Sequence, residues 1–320
     1  MWLDPNRGYD IIGDVHGCTE TLALLLEQMG YQLKEGVWQH PVRMALFLGD
    51  IVDRGPRIRQ ALHLVKNMVD KGQAICLMGN HEYYALAAIT PHPDDTTSFV
   101  RPMTPRNKRV ALETIEQFED YPDDWYAFTQ WFYSLPLFIE NDRFRLVHAC
   151  WDQTLIDQFK QDYPNQKISP EFIQKTLNWG SYESDIVERL LLGLKLPLPD
   201  GQTVVSYDGF VRRMFRAKFW ATSPKTCHDV VFQPDALPLS IANTDLTPEQ
   251  AALCSMYSIQ DPLLFIGHYW RTGLPEPIQN NIACLDYSAV KYGKLVAYRL
   301  DNETHIDPNK FVWVEVKKPQ

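Results

Sequence analysis

An α/β fold with its loops gathered at one sheet edge is what this sequence predicts, on two observations. Apolar runs of strand length recur at 9–12, 44–48 and 74–78. Each ends in a glycine-bearing loop followed by a helix-period pattern. The loops also repeat one kind of chemistry: Gly13-Asp14-Val15-His16-Gly17, Gly49-Asp50-Ile51-Val52-Asp53-Arg54-Gly55 and Gly79-Asn80-His81-Glu82. From Asp14 to Asp50 is 36 residues and from Asp50 to Asn80 is 30, enough for one crossover helix each.

The elements follow in order. Strand 9–12 feeds the first loop, and Leu22, Leu25, Leu26 and Met29 then share one helical face that Gly30 terminates. Residues 31–42 read as a loop or short hairpin turning at Gly36. After strand 44–48, a helix is expected over about 56–70, because Pro56 suits a first turn where its missing donor costs nothing. Gly72 closes it before strand 74–78. Four prolines (91, 93, 102 and 105) break the rhythm over 91–136, a stretch that also carries Arg101, Arg106, Lys108 and Arg109. Helical patterns at 110–118 and 125–133 follow, then a hairpin of 137–140 and 144–148 turning at Asn141-Asp142. Residues 151–260 read as mostly helical. Strands are expected at 262–267, 282–286, 294–300 and 310–316. Residues 1–320 are expected to form a single domain, with 91–136 and 151–260 inserted as a cover over the active site.

Composition narrows the function classes. The chain has 320 residues, 45% of them apolar, enough for one large core or two smaller ones. A formal charge of −9 argues against a stable nucleic-acid partner; two bound divalent ions would bring it to −5. No apolar run approaches the ~20 residues of a membrane span, and no signal peptide is evident. Six scattered cysteines without metal-type spacing read as buried free thiols, which fits a cytoplasmic protein.

Three strand ends bearing Asp, His and Asn point to a metal site of oxygen and nitrogen ligands. Asp14 and His16 are two apart, so in extended chain both face one side. Asp50 has two oxygens and can bridge two ions, which lie ~3.5–4 Å apart in two-metal sites. Each motif alone also suits a solvated loop; the three together favour the metal. In this complete and ordered set, the chain resembles the calcineurin-like metallophosphoesterases, and among them the PPP-type phosphatases and their bacterial and phage relatives. The likeness is densest over 9–88 and returns at Val147-His148-Ala149 and Ile266-Gly267-His268.

The resemblance implies an α/β, two-sheet β-sandwich flanked by helices, in four α/β/β/α layers with helical insertions. It implies one ion held by Asp14, His16 and Asp50 and a second by Asp50, Asn80, His148 and His268, with Mn²⁺ the first choice and Fe or Zn²⁺ compatible. Hydrolysis would proceed by direct attack of a metal-bridging hydroxide, without a phosphoenzyme. Arg54 would grip the phosphoryl group, and His81 would protonate the leaving oxygen with Asp53 orienting it. Glu82 is given a supporting role. His40, His63, His92, His228 and His305 are read as structural. A second phosphate-gripping arginine is sought in 211–216, where helical spacing would put Arg212, Arg213 and Arg216 on adjoining faces; Arg213 and Arg216 are the candidates.

Two departures from the family pattern stand out: His148 is followed by Ala149-Cys150, and Tyr269 replaces the usual threonine after His268, which could reshape the pocket rim. The expected substrate is a phosphomonoester of a phosphoprotein, on the strength of Glu82 in the third motif. The alternative is a nucleotide phosphatase, acting on dinucleoside polyphosphates or on RNA or DNA ends, because 64–81 also resembles bacterial polynucleotide repair enzymes. A catalytically silent scaffold is the rival from another class, disfavoured because no metal ligand is lost.

Overall fold

The computed structural model describes residues 3–4, 7–205, 209, 211–232 and 237–318. In chain order the principal elements begin with β1 (Gly8–Ile12), α1 (Thr19–Gln28), β2 (Arg43–Phe47), α2 (Ile58–Asp70), β3 (Ala74–Cys76) and α3 (Asn80–Ile89). Then come α4 (Pro105–Val110), α5 (Leu112–Phe118), α6 (Pro122–Phe132), β4 (Phe138–Glu140) and β5 (Phe144–Val147). Further on are α7 (Gln153–Asp162), β6 (Lys195–Pro197), β7 (Met214–Arg216), β8 (Leu263–Ile266), β9 (Ile282–Cys284), β10 (Asp286–Tyr287), β11 (Lys294–Leu300) and β12 (Phe311–Glu315).

Two sheets result. One runs β10-β11-β1-β2-β3, with β12 also paired to β11; β1, β2 and β3 are parallel. The other runs β9-β8-β5-β4, with β9, β8 and β5 parallel. Period-two alternation explains how they stack. Tyr9 and Ile11 of β1 and Leu46 of β2 join Phe144, Leu146, Leu263 and Phe265 in one buried cluster between the sheets. Ile12, Ala45 and Phe47 point the other way and pack on Leu22, Leu25 and Leu26 of α1 and on Ala61, Leu62 and Val65 of α2. The four-layer expectation therefore stands, and the parallel strands of both sheets deliver their carboxyl ends to one edge.

Three local expectations need correction. The helix expected from Pro56 starts at Ile58, because the loop ahead of it is spent holding Asp53 and Arg54 at φ 69° each. The mostly helical reading of 151–260 fails between residues 192 and 226, where short strands replace helices among the described residues; short helices return at Cys227–Val230, Leu239–Ala242 and Pro248–Leu253. The segment 211–216 is among those strands. Val211–Arg212 is one strand and β7 the next, with β7 antiparallel to β6, so its arginines do not share a helical face. Phe215 is the buried anchor there, between the half-buried Met214 and Arg216, and that alternation of burial suits a strand.

Candidate metal centre and active site

Every motif residue sits just past a strand of the common edge. Asp14 and His16 follow β1, Asp50 follows β2, Asn80 follows β3, His148 follows β5 and His268 follows β8. The backbone there is unusual: His16, Asp50, Asp53, Arg54 and His268 all have positive φ, between 42° and 69°. Each such residue costs on the order of 1–3 kcal/mol and persists only where its surroundings fix it. Glycines make the crowding possible. Gly49 has φ 97° and abuts the Gly79 backbone, and a side chain at Gly267 would collide with the Asp14 carboxylate.

The Glu82 carboxylate, fully buried, braces the loop. It accepts backbone N–H groups from Asp50 (2.8 Å), Ile51 (2.8 Å), Val52 (3.2 Å) and Gly79 (2.9 Å). Helix α5 braces it from the other side. Thr114 Oγ1 donates to Asp53 Oδ1 (2.5 Å), while Gln117 accepts from Ile58 N–H (2.6 Å) and donates to the Gly55 carbonyl (3.0 Å).

Asp50 is the hub. His16 donates from Nδ1 to the Val52 carbonyl (2.9 Å) and His148 from Nδ1 to the Leu48 carbonyl (2.8 Å). Both rings thereby turn Nε2 toward Asp50 Oδ2, at 3.5 Å each. The other Asp50 oxygen accepts the His81 backbone N–H at 3.0 Å. Asn80 Oδ1 lies 3.1 Å from His148 Nε2 and 2.8 Å from His268 Nδ1. Ligand atoms of Asp14, Asp50 and His148 fall within 4.8 Å of one another, as do those of His16, Asp50 and His81. The His81 ring differs from the other imidazoles: its Nδ1 donates to Asp53 Oδ2 at 2.7 Å, which leaves Nε2 for the cleft.

Cations fit this constellation on two counts. His268 Nε2 is buried with no hydrogen-bond partner. The charges are also unbalanced. Burial and then Asp286 push the Asp14 pKa well above the carboxylate range, and burial lifts Asp286 as well. Burial works against Asp50 too, but His148 and His81 outweigh it and hold Asp50 low. Burial pushes His16 down to about 3 and, with Arg216, holds His268 far below its usual value. Burial likewise opposes charge on His148, yet Asp50 and Asp14 raise it to about 10. A cation held among these carboxylates would relieve their mutual repulsion.

The cleft over these groups has a volume of about 440 Å³. Arg54 and Arg216 both line it, and Arg216 Nη1 donates to the His268 carbonyl at 3.2 Å. Arg213 is exposed and does not line it. None of His40, His63, His92, His228 and His305 does so either. Tyr269 does not form the rim. It is buried, accepting the Leu194 N–H at 2.9 Å, and Trp270 takes the wall position instead. Cys150 is a buried free thiol, like the other five. Sequence reasoning missed Asp286, Trp270 and Lys291 on the cleft wall, as well as the Thr114 and Gln117 braces. Asp286 was legible: it closes the apolar run 282–285 just as Asp14 and Asp50 close theirs.

The family model for calcineurin-like phosphoesterases matches residues 9–191. The chain belongs to the calcineurin-like phosphoesterases. Among curated relatives, this calcineurin-like phosphoesterase is 32% identical over 146 residues to PrpE of Halalkalibacterium halodurans, a bis(5′-nucleosyl)-tetraphosphatase (asymmetrical). That match covers 44% of this chain and 56% of the relative. It is 49% identical over 73 residues to the like-named protein of Oceanobacillus iheyensis, covering 22% of this chain and 29% of the relative. The chain thus spans about half the length, or less, of these relatives. A serine/threonine phosphatase from Saccharomyces cerevisiae shares the fold at a TM-score of 0.51 and 15% identity, with 99% of this chain and 81% of that one covered. Among the described residues no helix is long and apolar enough to cross a membrane.

Proposed function

We propose that this calcineurin-like phosphoesterase is a dinuclear, metal-dependent hydrolase of phosphoesters acting by direct displacement. Asp14, His16 and Asp50 would hold one ion, and Asp50, Asn80, His148 and His268 the other. The observation that carries the reading is Asp50 Oδ2, equidistant at 3.5 Å from the Nε2 atoms of His16 and His148. Bound divalent ions, Mn²⁺ by first choice, supply Lewis acidity toward phosphoryl oxygens and a water acidic enough to attack near neutral pH. The chain's own residues do the rest. Arg54 grips the phosphoryl oxygens bidentately, and Arg216 is the second grip. Arg213, exposed outside the cleft, is the weaker candidate. His81 delivers the Nε2 proton to the leaving oxygen while Asp53 fixes its ring. Residues 1–320 work as one domain, 91–136 lending Thr114 and Gln117 to the loop and 151–260 lending Arg216 to the cleft.

Phosphomonoesters, those of phosphoproteins first, are the substrate class we favour, because two arginines in one small cleft suit a terminal phosphoryl group. Glu82 no longer bears on this choice, since its carboxylate is spent on backbone N–H groups. Nucleotide hydrolysis is the second reading, supported by the activity named for the PrpE relatives and by Trp270 and Lys291 on the wall. A panel of phosphopeptides, dinucleoside tetraphosphates and 3′-phosphorylated oligonucleotides, at one pH with one metal, decides between them. Higher kcat/KM for phosphopeptides is expected, and the reverse ranking would move the assignment to nucleotides.

A further inference from the structure

A second cavity, of about 350 Å³, meets the motif-two loop at Asp53 and shares no lining residue with the metal cleft. Its walls come from α3, α4, α5 and the start of α6, with Tyr84, Ala88, Ala111, Phe118 and Trp125 among the lining side chains. Three large apolar residues around it, Ile89, Met103 and Ile115, remain 38%, 42% and 40% exposed. Such convergence of half-covered apolar groups on one concavity marks a binding site more than a packing defect. Its polar groups are few. Thr114 Oγ1 is committed to Asp53, Asn107 Nδ2 donates to the Pro102 carbonyl, and Glu119 lies at the exposed rim.

Arg101 is different. Its guanidinium lies 3.8 Å over the Tyr84 ring, and Asp53, the carboxylate of the cavity wall that acts on it, makes no ion pair with it. Arg101 belongs to the proline-rich stretch and lines this cavity, not the metal cleft.

We propose that this cavity binds a small anionic amphiphile and acts as an effector site. The ligand has an aromatic or short aliphatic body and one carboxylate, sulfonate or phosphate head against Arg101. The volume, at the low end of the ~300–1,000 Å³ of ligand pockets, limits the body to a small molecule. The link to the reaction is α5. One face of it lines the cavity, and its Thr114 and Gln117 hold the strained loop that carries Asp53 and Arg54. A ligand that shifts α5 alters the hold on Asp53, and through it the His81 ring.

The probe is 8-anilinonaphthalene-1-sulfonate, an aromatic monoanion. Saturable one-to-one binding by fluorescence is expected, with loss in both cavity-filling variants, Ala88→Trp and Ala111→Leu, each checked for folding by circular dichroism. Arg101→Gln should weaken binding about tenfold, the worth of a charge-assisted hydrogen bond. These binding results do not depend on the phosphoesterase reading; the kinetic part does. On an alkyl phosphate the probe should change kcat with KM unaltered, and Thr114→Val should bind the probe yet lose that kinetic response. Absence of saturable binding, or binding untouched by both filling variants, overturns the site. A rise in KM at constant kcat overturns the effector role, because it makes the cavity part of the substrate site.

Discussion

His81 lies among three other imidazoles, and one hydrogen bond sets it apart. His16 and His148 spend Nδ1 on backbone carbonyls and turn Nε2 to Asp50, whereas His81 spends Nδ1 on the Asp53 carboxylate. A general acid matters most for a basic leaving group, and such catalysis contributes ~10²–10⁴-fold. His81→Asn should therefore slow a phosphoserine peptide far more than an aryl phosphate with an acidic leaving group, at near wild-type metal content. Equal losses across a leaving-group series, or loss of an ion, would assign His81 to the metal site. Glu82 makes a prediction of the opposite kind. Glu82→Ala strands four buried donors and should destabilise the fold by about 3 kcal/mol or more, read from denaturant unfolding of the metal-free protein. A cost below about 1 kcal/mol would mean that the loop holds itself. Most of this site was legible because each metal-type side chain closes an apolar run. Thr114 and Gln117 were not legible, since nothing local marks a helix residue that reaches a loop some sixty positions earlier.

At the scale of elements, Asp301 ties the end of β11 to the start of β2. Its carboxylate meets Arg43 Nη1 at 2.5 Å and Lys310 Nζ at 2.8 Å. Partial burial works to raise its pKa, but Lys310 and Arg43 prevail and hold it below the usual carboxylate value of 3.8. A depressed folded-state pKa means stability present above 3.8 and lost as pH falls through the depressed value. Asp301→Asn should cost stability at pH 6 and little at pH 2; half exposure keeps the difference below about 1 kcal/mol. A variant equally destabilised at both pH values would show a contact that does not depend on charge. Elements with a regular apolar period, such as α1, α2 and the strands before each motif, were readable from sequence. The 211–216 segment was not, because at six residues an arginine-rich run fits a helix face and a strand equally well, and only the pairing of β7 with β6 decides.

At the scale of the molecule, two mixed sheets bring six candidate ligand residues from five separate stretches of chain to one edge. Three buried carboxylates, Asp14, Asp50 and Asp286, share that cleft, and a divalent pair would balance them. The double-sheet architecture was readable only through the ensemble of motifs, since the short strands of 195–216 and the packing of one sheet on the other leave no local signature. The central claim is that two ions sharing Asp50 make the site. Its most direct test is metal analysis of chelator-stripped protein reconstituted with Mn²⁺, run beside hydrolysis of an aryl phosphate, for wild type and Asp50→Asn. About two ions per wild-type chain, activity that follows their return, and loss of both ions and turnover in Asp50→Asn are expected. Full activity after stripping, or an Asp50→Asn variant that keeps two ions and wild-type turnover, would contradict the account.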